Sequence, residues 1–498
     1  MKNIRNIILT IGVFAGLASC NDAIDIEQPG RLDADAAFQT VTDLQAGLFG
    51  VYDNYDISTD IAFQSIFTDE LSIGFDNGGQ GLADYGFVLN AGSTAPDTFW
   101  TNGYDQLNAA TRLIEAAVNL DPEEIAENPA LYDQILGEAY ALRAWGHFIL
   151  LSYFSTDYTD DSALSIINLD FIPTIDQQLL RNTTGETFAL INADLQQASS
   201  LLGSDTSNKT RINPDFITAL RARIAAYRQD YVAAATLSQQ LINKYDLADR
   251  ANYEAMFLDE ADGEVIFKLE RTNNDNYDGQ GATGSPAAGG WAGARFAFVD
   301  ATLSGSPSFE MGRSLFNIID ENDIRYDVNV APSSLIDPDY DSNNNPATDI
   351  IVIQKYPGSE GQPLMNDLKI FRASEMYLIR AEAAVAQGNL GVAANLIKDI
   401  RDARFGEATA APSFGSPQQA YAAILDERRV ELAFEGHRWF DLKRLGTRAN
   451  QGVLKDPIDC AFNGACTLSA DDFRFTLPLP IVEFNANPGL REQQNPGY

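Results

Sequence analysis

The stretch Glu427–Gly446 has the sequence ERRVELAFEGHRWFDLKRLG and concentrates acidic, basic and aromatic side chains in one short run. Such density indicates either an active site or a buried ion-pair network that fixes helices against each other. On a helix that begins near Pro417, the acids Glu427, Glu431 and Glu435 are spaced four residues apart and share one face. The neighbouring arginines can pair with these acids along the helix and between its turns.

A catalytic interpretation of this stretch would use Glu435 and Asp441 as a carboxylate pair and His437 as the base. The chain has 70 acidic residues, so close carboxylates carry little information, and it has only 2 histidines. No HExxH, Gly-x-Ser-x-Gly or P-loop motif is present. The scaffold interpretation is therefore favoured, with Gly436 as the point where the helix bends or ends. It predicts that Glu435→Ala impairs folding without a specific catalytic defect.

Helical patterns extend outward from this stretch over most of the chain. Asn213–Tyr245 and Ala373–Arg404 each have the pattern of two helices joined by a short turn. In the second pair, small residues fall much as in a tetratricopeptide repeat: Ala381, Gly388, Ala393 and Ala394. One helix pair cannot bury its apolar face alone, whereas stacked pairs can. Generic helical hairpins are the alternative, and both interpretations predict a predominantly α fold with a helical scaffold over 34–260 and 366–446.

A different composition separates the two helix pairs. Residues 262–368 contain one short strand pattern, EVIFKLER, followed by long stretches rich in glycine and asparagine. Long loops in a compact domain indicate function. The acid-rich loop IDPDYDSNNNPATD (336–349) has ligands that calcium accepts but lacks EF-hand spacing, so a solvated loop is favoured over a metal site. The tail, 447–498, is punctuated by proline and cannot form a long helix.

Charge and the N-terminus restrict the partners and the location. The formal net charge is −36, which argues against nucleic acid and anionic lipid as partners. The apolar run at 7–18 follows two basic residues and is too short to span a bilayer. It ends in LASC, which resembles a bacterial lipobox. This predicts a lipoprotein signal peptide over 1–19, a lipidated Cys20, a tether over 20–33 and attachment to the membrane by lipid alone. An ordinary secretion signal with an incidental cysteine is the alternative.

Cysteine usage supports the same compartment. Only 3 cysteines occur, and with Cys20 lipidated the pair Cys460 and Cys466 remains. Oxidation is permitted outside the inner membrane, so a disulfide closing this short loop is predicted. A metal site at this pair is not expected, because no other cysteine and no histidine is near.

Several segments together resemble one family. DERRVELAFEGHRWFDLKRLG is similar to the C-terminal signature of the SusD/RagB family, outer-membrane nutrient-binding lipoproteins of Bacteroidota. RAEAAVAQGNLGVAANLIKDIRDAR resembles the helix pair that precedes that signature, and LPLPIVEFNANPGLREQQNPGY resembles the family's ending. FWTNGYDQLNAATRLIEAA and GEAYALRAWGHFILLSYF are similar to its N-terminal helices. The resemblance runs from Cys20 to Tyr498 and includes the lipobox.

The resemblance implies a fold and a function. The expected fold is a single domain over 34–498, in which tetratricopeptide-like helix pairs carry a loop-rich, ligand-facing region. The expected role is that of a non-enzymatic surface protein that binds glycans and passes them to a SusC-like TonB-dependent transporter. A binding lipoprotein for peptides or another non-sugar nutrient is the alternative, and a surface glycosidase is a third hypothesis. No cofactor is implied.

Family binding sites come from surface loops, and sugar recognition needs flat aromatic faces with polar partners. The loop after the Thr68–Glu70 segment and the loop after the EVIF strand are the expected sources. The candidate aromatic residues are Phe75, Tyr85, Tyr277 and Trp291, and the candidate polar residues are Asn77, Asn273, Asn274 and Asp278. Trp291, which follows two glycines, is the favoured platform, with loop packing as the alternative.

The remaining tryptophans and the charge refine the expected ligand. Trp100, Trp145 and Trp439 fall inside the helical motifs and are predicted to be core residues. The first loop lacks the closely spaced tryptophans of some starch-binding members, which argues against starch. The strong negative charge disfavours polyanionic glycans unless a local basic patch offsets it. The residues that would form this patch are Arg271, Arg295 and Arg313.

Overall fold

The structure is a computed structural model that describes residues 37–74, 77–174, 176–272, 291–296, 307–343, 345 and 347–498. Helices dominate this part of the chain and its strands are short, which confirms the predominantly α fold class. The predicted signal peptide, the tether and Cys20 lie outside the described residues. Among the residues that are described, no helix combines the length and the apolar character needed to cross a bilayer.

The helices before residue 260 build the first part of the scaffold. They are α1 (Val41–Asp53), α2 (Ser58–Phe67), α3 (Leu82–Tyr85), α4 (Thr94–Val118), α5 (Pro122–Glu127), α6 (Pro129–Phe154), α7 (Thr184–Leu201), α8 (Pro214–Tyr227), α9 (Tyr231–Ile242) and α10 (Arg250–Phe257). Local chemistry sets their starts. A capping box between Thr183 and Glu186 opens α7, and Pro214 occupies the first turn of α8 after the Asn213 cap.

The helices after residue 290 include the predicted helix pair at Ala373–Arg404. They are α11 (Ala292–Phe296), α12 (Arg313–Phe316), α13 (Ile324–Asn329), α14 (Tyr340–Asn343), α15 (Ala373–Ala386), α16 (Leu390–Phe405), α17 (Pro417–Glu431), α18 (Arg438–Ala449), α19 (Pro457–Cys460) and α20 (Ile481–Ala486), with 3₁₀ turns at Phe473–Phe475 and Pro488–Gln493. The predicted tail starts at residue 447, but α18 continues to Ala449. The helix ends at Asn450, which adopts the left-handed conformation.

Neighbouring helices pack as antiparallel pairs that stack on one another. The pairs α8–α9, α15–α16 and α17–α18 each pack internally, and α9 also packs against α15. The loop-rich region is therefore inserted between two helix pairs that are adjacent in space. Small residues permit the close contacts: Ala381 and Ala393 are fully buried, and a Cβ on Gly146 would lie 2.8 Å from the hydroxyl of Tyr55.

The strands form two-stranded antiparallel sheets within the described residues. They are β1 (Leu71–Ile73), β2 (Val265–Leu269), β3 (Phe309–Met311), β4 (Gly358–Ser359), β5 (Gln362–Pro363), β6 (Leu368–Arg372), β7 (Val453–Leu454) and β8 (Thr467–Leu468), paired as β1–β3, β2–β6, β4–β5 and β7–β8. The predicted EVIFKLER strand is confirmed as β2. Each sheet ties the loop-rich region to the scaffold or closes a local hairpin.

Trp100, Trp145 and Trp439 are core residues, as predicted, and none exposes more than 2% of its surface. They pack in aromatic clusters that join distant segments. Trp145 stacks on Tyr55 with ring centroids 4.9 Å apart, and Trp439 lies 5.5 Å from Tyr153. The first and last helices of the scaffold thus share one hydrophobic core.

The opening stretch is not one helix up to Gly436. The helix α17 ends at Glu431, and α18 begins at Arg438. Between them Phe434 adopts a left-handed φ of 59°, and Gly436 has a φ of 77°. The contacts of Phe434 with the rest of the protein favour this conformation, because its amide donates to Glu70 and its carbonyl accepts from Tyr356. The prediction of an uninterrupted helical face was wrong at Glu435.

Candidate functional site

An open cleft of about 630 Å³ lies beside the β1–β3 pair. Its walls come from the loop after β1, the acid-rich loop around α14 and the turn after α19. Its lining includes Ser72, Asn77, Arg313, Tyr340, Asp349 and Phe462. A volume of this size is typical of sites that hold small organic ligands.

The pairing of β1 with β3 fixes the position of Arg313 beside the cleft. Leu71 is opposite Met311, and Ile73 is opposite Phe309. The amide of Gly312 donates to the carbonyl of Glu70 at 2.7 Å. The chain therefore enters α12 at a fixed distance from β1, which places the Arg313 side chain in the cleft lining.

Tyr340 forms an aromatic part of the lining and is held by charged groups. The Arg313 guanidinium carbon lies 3.9 Å from the centroid of the Tyr340 ring. Arg313 is itself anchored, because its Nη1 donates to Oδ1 of Asp349 at 3.2 Å. The Tyr340 hydroxyl donates to Oδ2 of Asp456 at 3.1 Å. The half-buried ring is therefore fixed in orientation before any ligand arrives.

Phe462 provides a second ring, on a turn closed by a disulfide. Cys460 and Cys466, the predicted pair, are joined, with Cα atoms 5.2 Å apart. The Phe462 ring is 58% exposed, although one face stacks on Tyr85 at a centroid distance of 5.9 Å and an interplanar angle of 16°. The amide of Gly464 donates to the carbonyl of Cys460 at 2.7 Å, which tightens the turn. An exposed aromatic face on a constrained turn can bind a ligand at little entropic cost.

Carboxylates dominate the electrostatics of the cleft. Burial, with a smaller contribution from repulsion by Asp456 and Asp349, raises the pKa of Asp459 to about 7 despite hydrogen bonds from the amide of Arg313 and from Ser72. Burial also raises the pKa of Asp349, and the neighbouring acids add to this effect. Burial is the main cause of both shifts, and repulsion between neighbouring carboxylates adds to each.

Tyr85, predicted as a ligand platform, is instead a core residue. Its ring is fully buried, and its hydroxyl donates to the carbonyl of Asp459 at 2.9 Å. One face stacks on Phe462, and the Lys455 Nζ lies 3.4 Å from the ring centroid. Because Lys455 is itself buried, Tyr85 supports the exposed Phe462 and offers no open face of its own.

The other predicted site residues divide between buried positions and undescribed ones. Trp291 exposes 6% of its surface, so it is packed in the structure and presents no open platform. Asn77 lines the cleft, but its Nδ2 donates to the Ser308 carbonyl at 2.7 Å and its Oδ1 accepts from the Gly79 amide at 3.0 Å. Its amide therefore has a structural role as well. The predicted residues outside the described part of the chain are Phe75, Asn273, Asn274, Tyr277 and Asp278.

The three arginines of the hypothetical basic patch do not neutralise the negative charge of the cleft. Arg271 and Arg295 both lie within 4 Å of Asp56, at 3.6 and 3.8 Å, and Arg313 pairs with Asp349. Each of these cations thus has an anionic neighbour. The cleft consequently keeps its negative character.

Two acids of the acid-rich loop 336–349, whose side chains include ligands that calcium accepts, are bound by other groups of the protein. Asp337 accepts from Asn343 at 2.7 Å, and Asp349 binds Arg313. Across the described ranges, no three His, Cys, Asp or Glu side chains converge in a way that would hold a metal ion. In the part of this loop that is described, hydrogen bonds within the protein occupy these two carboxylates.

The segment Thr68–Glu70, which precedes β1, is buried and contributes no residue to the cleft lining. Asp69 is buried between two arginines: its Oδ1 accepts from Arg438 Nε at 2.9 Å and lies 3.5 Å from Arg429 Nε. Burial alone would raise the pKa of Asp69, but these guanidinium groups hold it at about 2. Glu70, also buried, accepts from the Ser65 hydroxyl at 2.8 Å, and burial raises its pKa to about 7. Adjacent acids therefore differ in charge at neutral pH.

The raised pKa of Glu70 makes the stability of the fold depend on pH, and Glu70→Gln should remove this dependence. The raised pKa of folded Glu70 means that its stabilising contribution is complete below the unfolded pKa of about 4.5 and is lost as pH rises through about 7. As pH rises from 5 to 8, the free energy of unfolding of the variant should therefore increase by up to about 3 kcal/mol relative to that of the native protein. Urea unfolding of both proteins at several pH values measures this. A constant difference across that range would contradict the prediction.

The charged stretch around α17 and α18 forms a buried ion-pair network. Arg372 contacts Glu264 at 2.7 Å, and Glu431 and Glu435 at 2.9 Å each. Arg404 binds Glu264 at 2.9 Å and Glu431 at 2.8 Å. All five side chains are buried, and they join α16 and α17 to the strand β6 and the loop before β2. The charged side chains of this stretch therefore form a structural ion-pair network, as the scaffold interpretation predicts.

The residues of the catalytic alternative are occupied in the same way. Asp441 accepts from Arg428 at 2.6 Å and from Arg444 at 2.9 Å, and these charges hold its pKa below the usual range despite burial. Burial, together with nearby arginines, lowers the pKa of His437. An acid kept ionised by two arginines is a poor proton donor. The arrangement stabilises the fold.

Sequence reasoning missed Tyr340 and Phe462. Tyr340 lies in the acid-rich loop, and Phe462 lies between the paired cysteines. A single aromatic residue inside a polar, acidic or disulfide-closed loop has no local core to join, which is the signal that would have identified them. Their place in one cleft lining depends on contacts between segments more than a hundred residues apart, such as the Tyr340–Asp456 hydrogen bond.

Comparison with known proteins gives two matching family models. The model described as the SusD family matches residues 203–498. The model described as "Starch-binding associating with outer membrane" matches residues 24–226. Together they cover almost the whole chain, and they confirm the resemblance drawn from the signature segments.

Individual proteins agree with these models. A SusD-like protein, P38, of Formosa agariphila is 26% identical over 552 aligned positions, covering 100% of each chain. A crystal structure of a SusD superfamily protein from Bacteroides thetaiotaomicron has a TM-score of 0.74 at 23% identity and covers 92% of this chain and 100% of its own. A laminarin-binding SusD-like protein has a TM-score of 0.66 at 20% identity and covers 93% of this chain and 100% of its own. The two structures establish similarity of fold.

Proposed function

This chain belongs to the SusD family, and we propose on that basis that it is a glycan-binding lipoprotein of the outer membrane. It captures oligosaccharides or polysaccharides at the cell surface and passes them to a SusC-like TonB-dependent transporter. Its attachment is the lipid on Cys20. It acts as a binding protein and carries out no reaction on the sugar.

The observation that supports glycan binding most directly is the pair of rings at the cleft. Tyr340 is backed by the Arg313 guanidinium, and Phe462 is backed by the ring of Tyr85. Each ring is held by contacts on one side and lines the cleft. Flat aromatic surfaces bind the C–H faces of sugar rings, and nearby polar groups bind their hydroxyls.

Polar groups suited to hydroxyl recognition surround these rings. Ser72, Asn77 and the carboxylates of Asp349 and Asp459 line the same cleft. Carboxylates accept hydrogen bonds from sugar hydroxyls, and amides donate as well as accept. Among relatives of this fold, one solved structure is named as laminarin-binding and another as a surface glycan-binding protein, which supports a glycan as the ligand here.

Affinity gel electrophoresis of the full chain, purified in mild detergent, tests this proposal. The chain has a pI of about 4.2, so it migrates toward the anode at neutral pH and retardation is easily seen. The gels contain laminarin, starch, xylan, mannan, alginate or polygalacturonate. We expect specific retardation by at least one neutral polysaccharide, reversed by soluble oligosaccharide of the same kind. Unchanged migration in every gel would reject glycan binding and turn attention to peptides or other nutrients.

A further inference from the structure

We infer that the cleft selects against acidic glycans, with Asp349 and Asp459 as the specificity-determining residues. This inference rests on the proposed function and narrows its substrate class to neutral glycans. A uronate or sulfated sugar bound between Tyr340 and Phe462 would bring its own negative charge next to these two side chains. Like charges in a partly desolvated site repel more strongly than in water.

The first support is the balance of charge among the described lining residues. Glu310, Asp349 and Asp459 line the cleft, whereas Arg313 is the cation found there. Arg313 is already used, because its Nη1 binds Asp349 and its Nη2 donates to the carbonyl of Asp337 at 3.1 Å. A ligand anion would have to compete with these contacts.

The second support comes from the acids behind the lining. Asp456 accepts from Tyr340, and the Asp337 carbonyl accepts from Arg313, so both acidic residues contact residues that line the cleft. Burial raises the pKa of both Asp349 and Asp459, and repulsion by the neighbouring acids adds to it, so Asp459, with a pKa of about 7, carries its full charge only above neutral pH. A ligand carboxylate would meet the same repulsion.

Lys455, which packs on the Tyr85 ring that supports Phe462, does not relieve this repulsion. Lys455 is buried, its Nζ donates to the Tyr85 carbonyl, and it lies against the rings of Tyr85 and Phe87. Burial lowers the pKa of Lys455 to about 7, so its charge is only partial at neutral pH. It is not part of the cleft lining.

The test uses matched derivatives of one polysaccharide. The neutral glycan that retards the full chain most, out of laminarin, starch, xylan and mannan, is substituted to the same degree with hydroxyethyl or carboxymethyl groups. The two derivatives have similar bulk and differ in charge. At about pH 8.5, where Asp459 is ionised, we expect the carboxymethyl form to bind about tenfold more weakly at low salt. The deficit should shrink at about 0.5 M NaCl, because exposed charges are screened.

Variants assign the effect to the cleft. In the double variant Asp349→Asn/Asp459→Asn, which keeps one acceptor oxygen on each side chain and removes its charge, we expect the carboxymethyl form to bind only about twofold more weakly. The control variant Glu123→Gln/Glu127→Gln removes the same charge from α5, outside the cleft, and should keep the full deficit. If the double variant does not fold, the single variants Asp349→Asn and Asp459→Asn take its place, and each should reduce the deficit while the α5 control keeps it.

The outcomes separate the two proposals. Equal binding of both derivatives, an undiminished deficit in the cleft variant, or tightest binding to alginate or polygalacturonate would overturn the charge selection and leave glycan binding in place. Failure of every polysaccharide to bind would reject the proposed function itself, and the selection with it.

Discussion

Replacing Glu431 by alanine is expected to lower the free energy of unfolding by about 3–5 kcal/mol. Glu431 has no exposed surface and contacts three arginines: Arg404 at 2.8 Å, Arg372 at 2.9 Å and Arg325 at 3.2 Å. Burial would raise the pKa of Glu431, but these arginines keep it well below its usual range. The carboxylate is therefore ionised in the fold, and its loss leaves buried positive charge without compensation.

Urea unfolding followed by circular dichroism measures this loss. The matched control is Asp161→Ala, which breaks an ion pair with Arg228 at 2.6 Å in which the aspartate side chain is 71% exposed. An exposed pair contributes about 0–1 kcal/mol, so this control should remain close to the native protein. If Glu431→Ala does not accumulate as folded protein, Glu431→Gln takes its place. Equal stability of the Glu431 and Asp161 variants would contradict the network's role.

The scaffold was predictable because its signals are local. Apolar periodicity and small residues identified the pairs α8–α9 and α15–α16, whose faces are set within one or two turns of sequence. The crowded charges of α17 and α18 indicated a network without showing its partners. Arg372 and Glu264, which complete it, are separated from Glu431 by 59 residues or more in the sequence. No local pattern connects them.

The candidate site was less predictable because exposure is decided at long range. Tyr85 and Phe462 are both aromatic residues in polar loops, yet one is buried and the other is 58% exposed. The difference comes from Lys455 and the Asp459 carbonyl, which pack against Tyr85 from segments more than 350 residues away. Similarly, α17 ends at Glu431 because contacts from Glu70 and Tyr356 favour the left-handed Phe434.

Removing the ring of Phe462 is expected to weaken glycan binding about tenfold, equivalent to about 1.4 kcal/mol. The ring is 58% exposed and lines the cleft, so its loss removes contact with ligand and little of the core. Phe462→Ala should therefore fold normally while its retardation in the gel that retards the native chain most falls. Tyr340→Ala should have an effect of similar size, because its ring forms the other aromatic part of the lining.

A matched control separates a site effect from a general loss of exposed aromatic surface. Phe171 is 42% exposed and lies outside the cleft lining. Phe171→Ala should therefore be retarded like the native chain in the same gel. Equal retardation of the Phe462→Ala and Phe171→Ala proteins would contradict the placement of the glycan in this cleft.

The substitution Phe462→Leu distinguishes stacking from simple apolar burial. Leucine keeps most of the hydrophobic contact area of the side chain but has no flat face. A sugar ring that stacks on Phe462 should lose nearly as much affinity to leucine as to alanine, whereas Phe462→Tyr, which keeps the ring, should preserve binding. A ligand held by apolar contact alone would bind the leucine protein almost as well as the native one. Near-native retardation of Phe462→Leu would thus exclude a stacked sugar at this position, because that geometry requires the aromatic plane that the disulfide-closed turn and Tyr85 hold in place.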